Sequence, residues 1–133
     1  MLVVRVLCPL LAVAGAVTFA GCSATPHGDS VRNAARSFVE KLAAGDGAGA
    51  CDLLTDDARS SASGATDTSC DKAVTGVKER GSDITSVQVW GDAAQVRIGG
   101  DVLFLRLASG QWRISAAGCT PQPTGPYDCK LGG

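Results

Sequence analysis

Cys51, Cys70, Cys119 and Cys129 are the residues whose type and spacing best support chemistry, and that chemistry is cross-linking. A zinc centre is the competing use of such a set. It fails on spacing, because no two of them form a Cys-x-x-Cys pair, and on partners, because the chain has a single His, His27. Four thiols allow three pairings. Joining Cys51 to Cys70 and Cys119 to Cys129 keeps each bridge local and needs no crossing; a link from Cys70 to Cys119 is the alternative to exclude. The remaining chemistry-bearing residues do not converge. The serines lack a Gly-x-Ser-x-Gly elbow and a His partner. Asp83, Asp92 and Asp101 stand at expected turns and strand starts, where Asp is ordinary turn chemistry. The sole Tyr, Tyr127, lies in a Pro-rich tail beside Cys129. No phosphate loop, nucleotide fingerprint or metal-ligand pattern occurs, so the expectation is no cofactor, no metal site and no catalytic residue. Trp90 and Trp112 are candidates for lining a ligand pocket, although packing is the commoner use of Trp. Arg97, Arg106 and Arg113 could form a row on one sheet face, or simply solvate it.

The N-terminal stretch carries a second kind of cysteine chemistry. An apolar run over residues 6–17 follows Arg5 and ends in Phe19-Ala20-Gly21-Cys22. Residues 6–20 fall short of the roughly 20 that a membrane-spanning helix needs, so a cleaved signal peptide is favoured. Small residues before a Cys at the end of such a core resemble the lipobox of bacterial lipoproteins. The resemblance implies a signal peptide at 1–21 and a lipid (palmitate among its acyl chains) on Cys22. It also implies a location on the extracytoplasmic face of the cell membrane. Ordinary signal cleavage nearby is the alternative. Residues 23–29 hold Ser, Thr, Pro and Gly without apolar pattern and read as a tether. With Cys8 removed and Cys22 acylated, four cysteines remain, an even number suited to disulfides in an oxidising compartment.

Composition limits the rest. A chain of 133 residues that sheds a leader is long enough for one domain and too short for two, and residues 30–133 are read as that domain. The formal net charge is −1, with no basic stripe. Nucleic acid and anionic lipid both need clustered Lys and Arg, so neither is expected as a charge-driven partner. Attachment to the membrane must come from the lipid.

The elements that position these residues follow from periodicity. Val31, Ala34, Ala35, Phe38, Val39 and Leu42 predict an amphipathic helix over 30–44, stopped by Gly45. Asp46 is expected to cap a second helix to about residue 59, residues 60–68 are expected as a loop, and a third helix is expected over 69–80. From residue 84 the period becomes two. Strands are predicted at 84–90, 93–98, 102–107 and 111–117, separated by Gly-containing turns. The inner set should be Val87 and Val89, Ala94, Val96 and Ile98, Leu103, Leu105 and Leu107, and Trp112, Ile114 and Ala116. This set should meet helix one around Phe38 and Leu42. A pocket, if present, should open at one end of that contact, lined from among Phe38, Leu42, Trp90, Phe104 and Trp112. The tail beyond residue 117 reads as an irregular loop closed by Cys119 and Cys129.

Three helices followed by a four-stranded antiparallel meander is an α+β pattern with the helices on one face of a curved sheet. Ala35 to Phe38, Gly45-Asp46 and Ala50-Cys51-Asp52-Leu53-Leu54 are similar to the opening of NTF2-like domains. Gly110 to Ile114, Ala116 to Cys119 and Pro126-Tyr127-Asp128-Cys129 resemble small secreted actinobacterial lipoproteins that carry such a domain. The resemblance implies a cone-shaped α+β domain over about residues 29–130. Enzymes of that fold, such as its isomerases, use an Asp base with a Tyr and a protonated acid, and no Tyr or His falls within the helix-and-sheet body here. The expectation is therefore a non-enzyme that binds a small apolar ligand or an envelope protein. An isomerase- or dehydratase-type enzyme using the cavity, or a purely structural envelope protein, is the alternative.

Overall fold

Helix one is longer than its apolar stripe requires. The computed structural model describes residues 26–66, 69–78 and 80–132, and α1 runs over Pro26–Ala43, so residues 26–29 of the expected tether are helical. The expected signal peptide with Cys8, and the expected lipidation site Cys22, lie outside the described residues. Val31, Ala35, Phe38 and Val39 are buried at helical spacing, and α1 packs on β1 (Ile84–Trp90), β2 (Ala93–Ile98) and β4 (Gln111–Thr120).

The second helix breaks in two. Asp46 does cap α2, Gly47–Asp52, accepting from the Gly49 amide at 2.9 Å. Then residues 53–55 join the sheet edge: Ile114 donates to the Leu53 carbonyl at 2.8 Å and Thr55 donates to the Ile114 carbonyl at 2.9 Å. Leu54 between them is fully buried. Helix α3, Asp56–Thr66, then restarts with Thr55 Oγ1 accepting from the Ala58 amide. The expected loop at 60–68 is thus helical to residue 66. Its buried face is made of Ala58 and Ala62, whose small side chains leave a weak periodic signal. Helix α4 covers only Cys70–Thr75, with Gly76 as its C-cap, so the third expected helix is shorter than its apolar pattern. Among the described residues there are four helices where three are expected.

The sheet has five strands in the order β1-β2-β3-β4-β5, all antiparallel and open at its edges, with β3 at Asp101–Ala108. The fifth, β5 at Asp128–Gly132, comes from the tail expected to be irregular. The prolines end at Pro126, which frees residues 128–132 to pair with the end of β4. Residues 94, 96, 98, 103, 105, 112 and 114 form the core with α1, as their alternation requires. Ala116 does not. The β3–β4 register shifts on both sides of Phe104, and Ala116 turns to the opposite face, where it clusters with Val102 and Cys119. Ala117 takes the inner position in its place.

Two disulfides tie the parts together. Cys51 is bonded to Cys70, joining α2 to α4, and Cys119 to Cys129, joining β4 to β5. The first needs the two helices in close contact. Gly47 permits it, since a Cβ there would run into the Asp71 carbonyl.

Asp101, at the start of β3, is a structural clamp. Its side chain is 4% exposed and accepts from the Arg80 amide at 2.8 Å and from the Arg80 guanidinium at 2.9 and 3.1 Å. Burial pushes the carboxyl pKa up, but the hydrogen bonds and charge of Arg80 outweigh it and hold the group below its ordinary value. A carboxyl with a depressed folded pKa adds stability above its unfolded pKa of about 3.9, and that stability is lost as pH falls through the lower folded value. Asp101→Ala should cost about 2 kcal/mol at neutral pH by removing the charged acceptor that joins the Arg80 amide and guanidinium to β3. The difference from wild type should shrink in acid below about pH 3.9. Urea titrations at neutral and acid pH check both; an equal loss at the two pH values would contradict the ionised clamp.

Candidate binding groove

The register shift that reverses Ala116 also builds a second apolar face. On the side of the sheet turned away from α1, Phe104 and Ala116 lie side by side. The tail folds back over them, so that Tyr127 meets Phe104 edge to face with ring centroids 5.1 Å apart. Tyr127 is held by its hydroxyl as well as its ring, accepting from Gln95 Nε2 at 3.4 Å. The Cys119–Cys129 bridge lies in the same cluster and pins the tail beside the sheet.

These groups line a groove of about 820 Å³. Trp90, Ala93 and Ala108 form one end, Tyr127 and Pro126 flank it, and Thr55, Asp56 and Ser61 from the start of α3 form another wall. Trp90 is the exposed large hydrophobic residue among those described, at 55%. Charged groups sit at the rim. Arg106 reaches Asp92 at 3.6 Å, and Asp56 and Asp57 occupy the first turn of α3, where acidic residues suit the helix dipole. Such a surface can bind apolar or aromatic matter by area, with polar contacts at its edge. Tyr127 is engaged by an amide, whereas proton transfer by a Tyr–acid pair would need a carboxylic acid at hydrogen-bond distance.

The expected pocket residues are divided among three places. Trp90 and Phe104 line the groove. Phe38 is fully buried in the core beside α1, and Leu42 is half-buried at the edge of that core. Trp112 lines a separate cavity of about 540 Å³ between His27, Ser30 and Ala34 of α1 and the turn at Gly110. That smaller cavity lies beside the start of α1; the larger groove lies on the opposite face of the sheet. The arginines also separate. Arg106 and Arg113 are paired neighbours, but Arg113 is tied to the Asp52 carbonyl and to Gln111, and Arg97 stands exposed at the far end of β2.

Tyr127 and the α3 wall are the contributors that pattern reading did not bring to the site. The cap sequence Thr55-Asp56-Asp57 could have marked the start of α3. Nothing local could have placed Tyr127 on Phe104. Among the described residues, no group of three or more His, Cys, Asp or Glu could hold a metal ion, and no helix is long and apolar enough to cross a membrane. Comparison of the chain with protein-family models, curated proteins and solved structures finds no match.

Proposed function

We propose that this chain is an extracytoplasmic lipoprotein, anchored through lipid on Cys22, whose domain binds a small apolar ligand without converting it. The helix-then-sheet order and the motifs at Ala35 to Phe38 and Gly110 to Ile114 support an NTF2-like assignment for the domain. The groove carries the binding reading: Trp90, Phe104 and Tyr127 present aromatic surface on the sheet face that α1 leaves free. Its acids sit at the rim, in a helix first turn and in an ion pair with Arg106, which supports binding over catalysis. A second reading, an envelope protein partner, draws on the 55% exposure of Trp90, since exposed aromatic anchors suit protein interfaces.

Incubating the purified protein, residues 22–133, with an envelope lipid extract and analysing it by mass spectrometry tests the proposal. Retained lipid with unchanged composition of the extract is the expected result. Phe104→Ala should weaken retention about tenfold, or about 1.4 kcal/mol, through lost apolar contact. Chemical conversion of any component would overturn the non-enzyme reading. Absence of retained lipid would move the assignment to a protein partner.

A further inference from the structure

The end of the sheet that carries Trp90 is also the end from which the chain leaves toward Cys22. The turns at Gly91-Asp92 and Ser109-Gly110 lie together there: Trp90 pairs with Ala93, Ala93 with Arg106, and the Leu107 amide donates to the Asp92 carbonyl at 2.7 Å. The start of α1 is at the same end, because His27 and Ser30 face Gly110, Gln111 and Trp112 across the smaller cavity. Four residues, 22–25, precede Pro26, and four extended residues reach at most about 14 Å. A lipid on Cys22 therefore holds this end close to the bilayer.

We infer that the domain docks on the membrane by this end, with Trp90 seated in the bilayer interface. The inference rests on Cys22 being the lipid anchor. A half-exposed indole is costly in water and favoured at the headgroup level, where its ring is buried and its N–H is wet. No basic patch is needed, since the acyl chains supply attachment and Arg106 is already engaged with Asp92. Docking also turns the Trp90 end of the groove toward the acyl chains, so the ligand class it selects is a membrane lipid.

The test supplies the anchor chemically. In the mature chain the other four cysteines are in disulfides, so the Cys22 thiol can be coupled to a maleimide lipid in phosphatidylcholine–phosphatidylglycerol vesicles. With brominated acyl chains, Trp emission should be blue-shifted and quenched, and Trp90→Phe should remove that response, because Trp112 is buried. Adding Arg97→Trp in the Trp90→Phe background puts an indole on the same face about 13 Å along β2, beyond the interface. That indole should not be quenched. Unquenched Trp90, or equal quenching at the two positions, overturns the docking. Because the linkage is synthetic, these outcomes are independent of whether cells acylate Cys22, which fatty-acid labelling reads separately.

Discussion

Replacing Cys51 and Cys70 together by Ser is expected to lower stability by about 3 kcal/mol, the loop-closure value for a bridge spanning 19 positions. For a domain of this size that is a large part of a total of about 5–15 kcal/mol. The effect should exceed that of removing Cys119–Cys129, which spans 10 positions on strands already paired by backbone hydrogen bonds. The helices that the first bridge joins have six residues each, too short to persist alone in water. Helix α4 adds few core side chains, chiefly Val74 with Val77 just beyond it. Loosening α2 should also loosen residues 53–55 on the edge of β4, and with them the α3 wall of the groove. Urea unfolding with and without the double change measures it. The midpoint should fall with little change in slope; an unchanged midpoint would show that helix packing alone holds α2 on α4.

Where the sequence is legible, it is because one local rule dominates. Val31, Ala35, Phe38 and Val39 mark α1 because large apolar groups recur on one face, and Asp46 marks the start of α2 because capping is chemistry of a single side chain. The first four strands follow from alternation broken at Gly91, Gly99 and Gly110. At Gly99 the positive φ of 54° and the Arg80 carbonyl, which a Cβ would meet, both require glycine. The illegible parts depend on distant partners. Leu53 to Thr55 fit a helical pattern locally, but two hydrogen bonds with the distant Ile114 hold them at the sheet instead. Ala58 and Ala62 are too small to announce the α3 face, yet they are buried because the neighbouring strands come close. Strict alternation places Ala116 inward, and the register shifts beside Phe104 overturn it. The groove exists because of that shift and the returning tail, so its aromatic pair of Phe104 and Tyr127 joins residues with no sequence relation.

The proposed anchor gives the groove its setting. A lipid on Cys22 fixes the tether end of α1 beside the bilayer, and the Trp90 end of the groove shares that end of the sheet. Two or more acyl chains hold a protein at a membrane stably, whereas a near-neutral domain with net charge −1 has no electrostatic substitute. Loss of the anchor should therefore be nearly all-or-none in its effect on location, the largest effect expected of any single substitution. The measurement is metabolic labelling of wild type and Cys22→Ala with an alkynyl fatty acid, followed by membrane fractionation. The account predicts labelled wild type in the membrane fraction and unlabelled Cys22→Ala released from it. Equal label on both proteins, or unlabelled mutant retained with the membrane as fully as wild type, would contradict it.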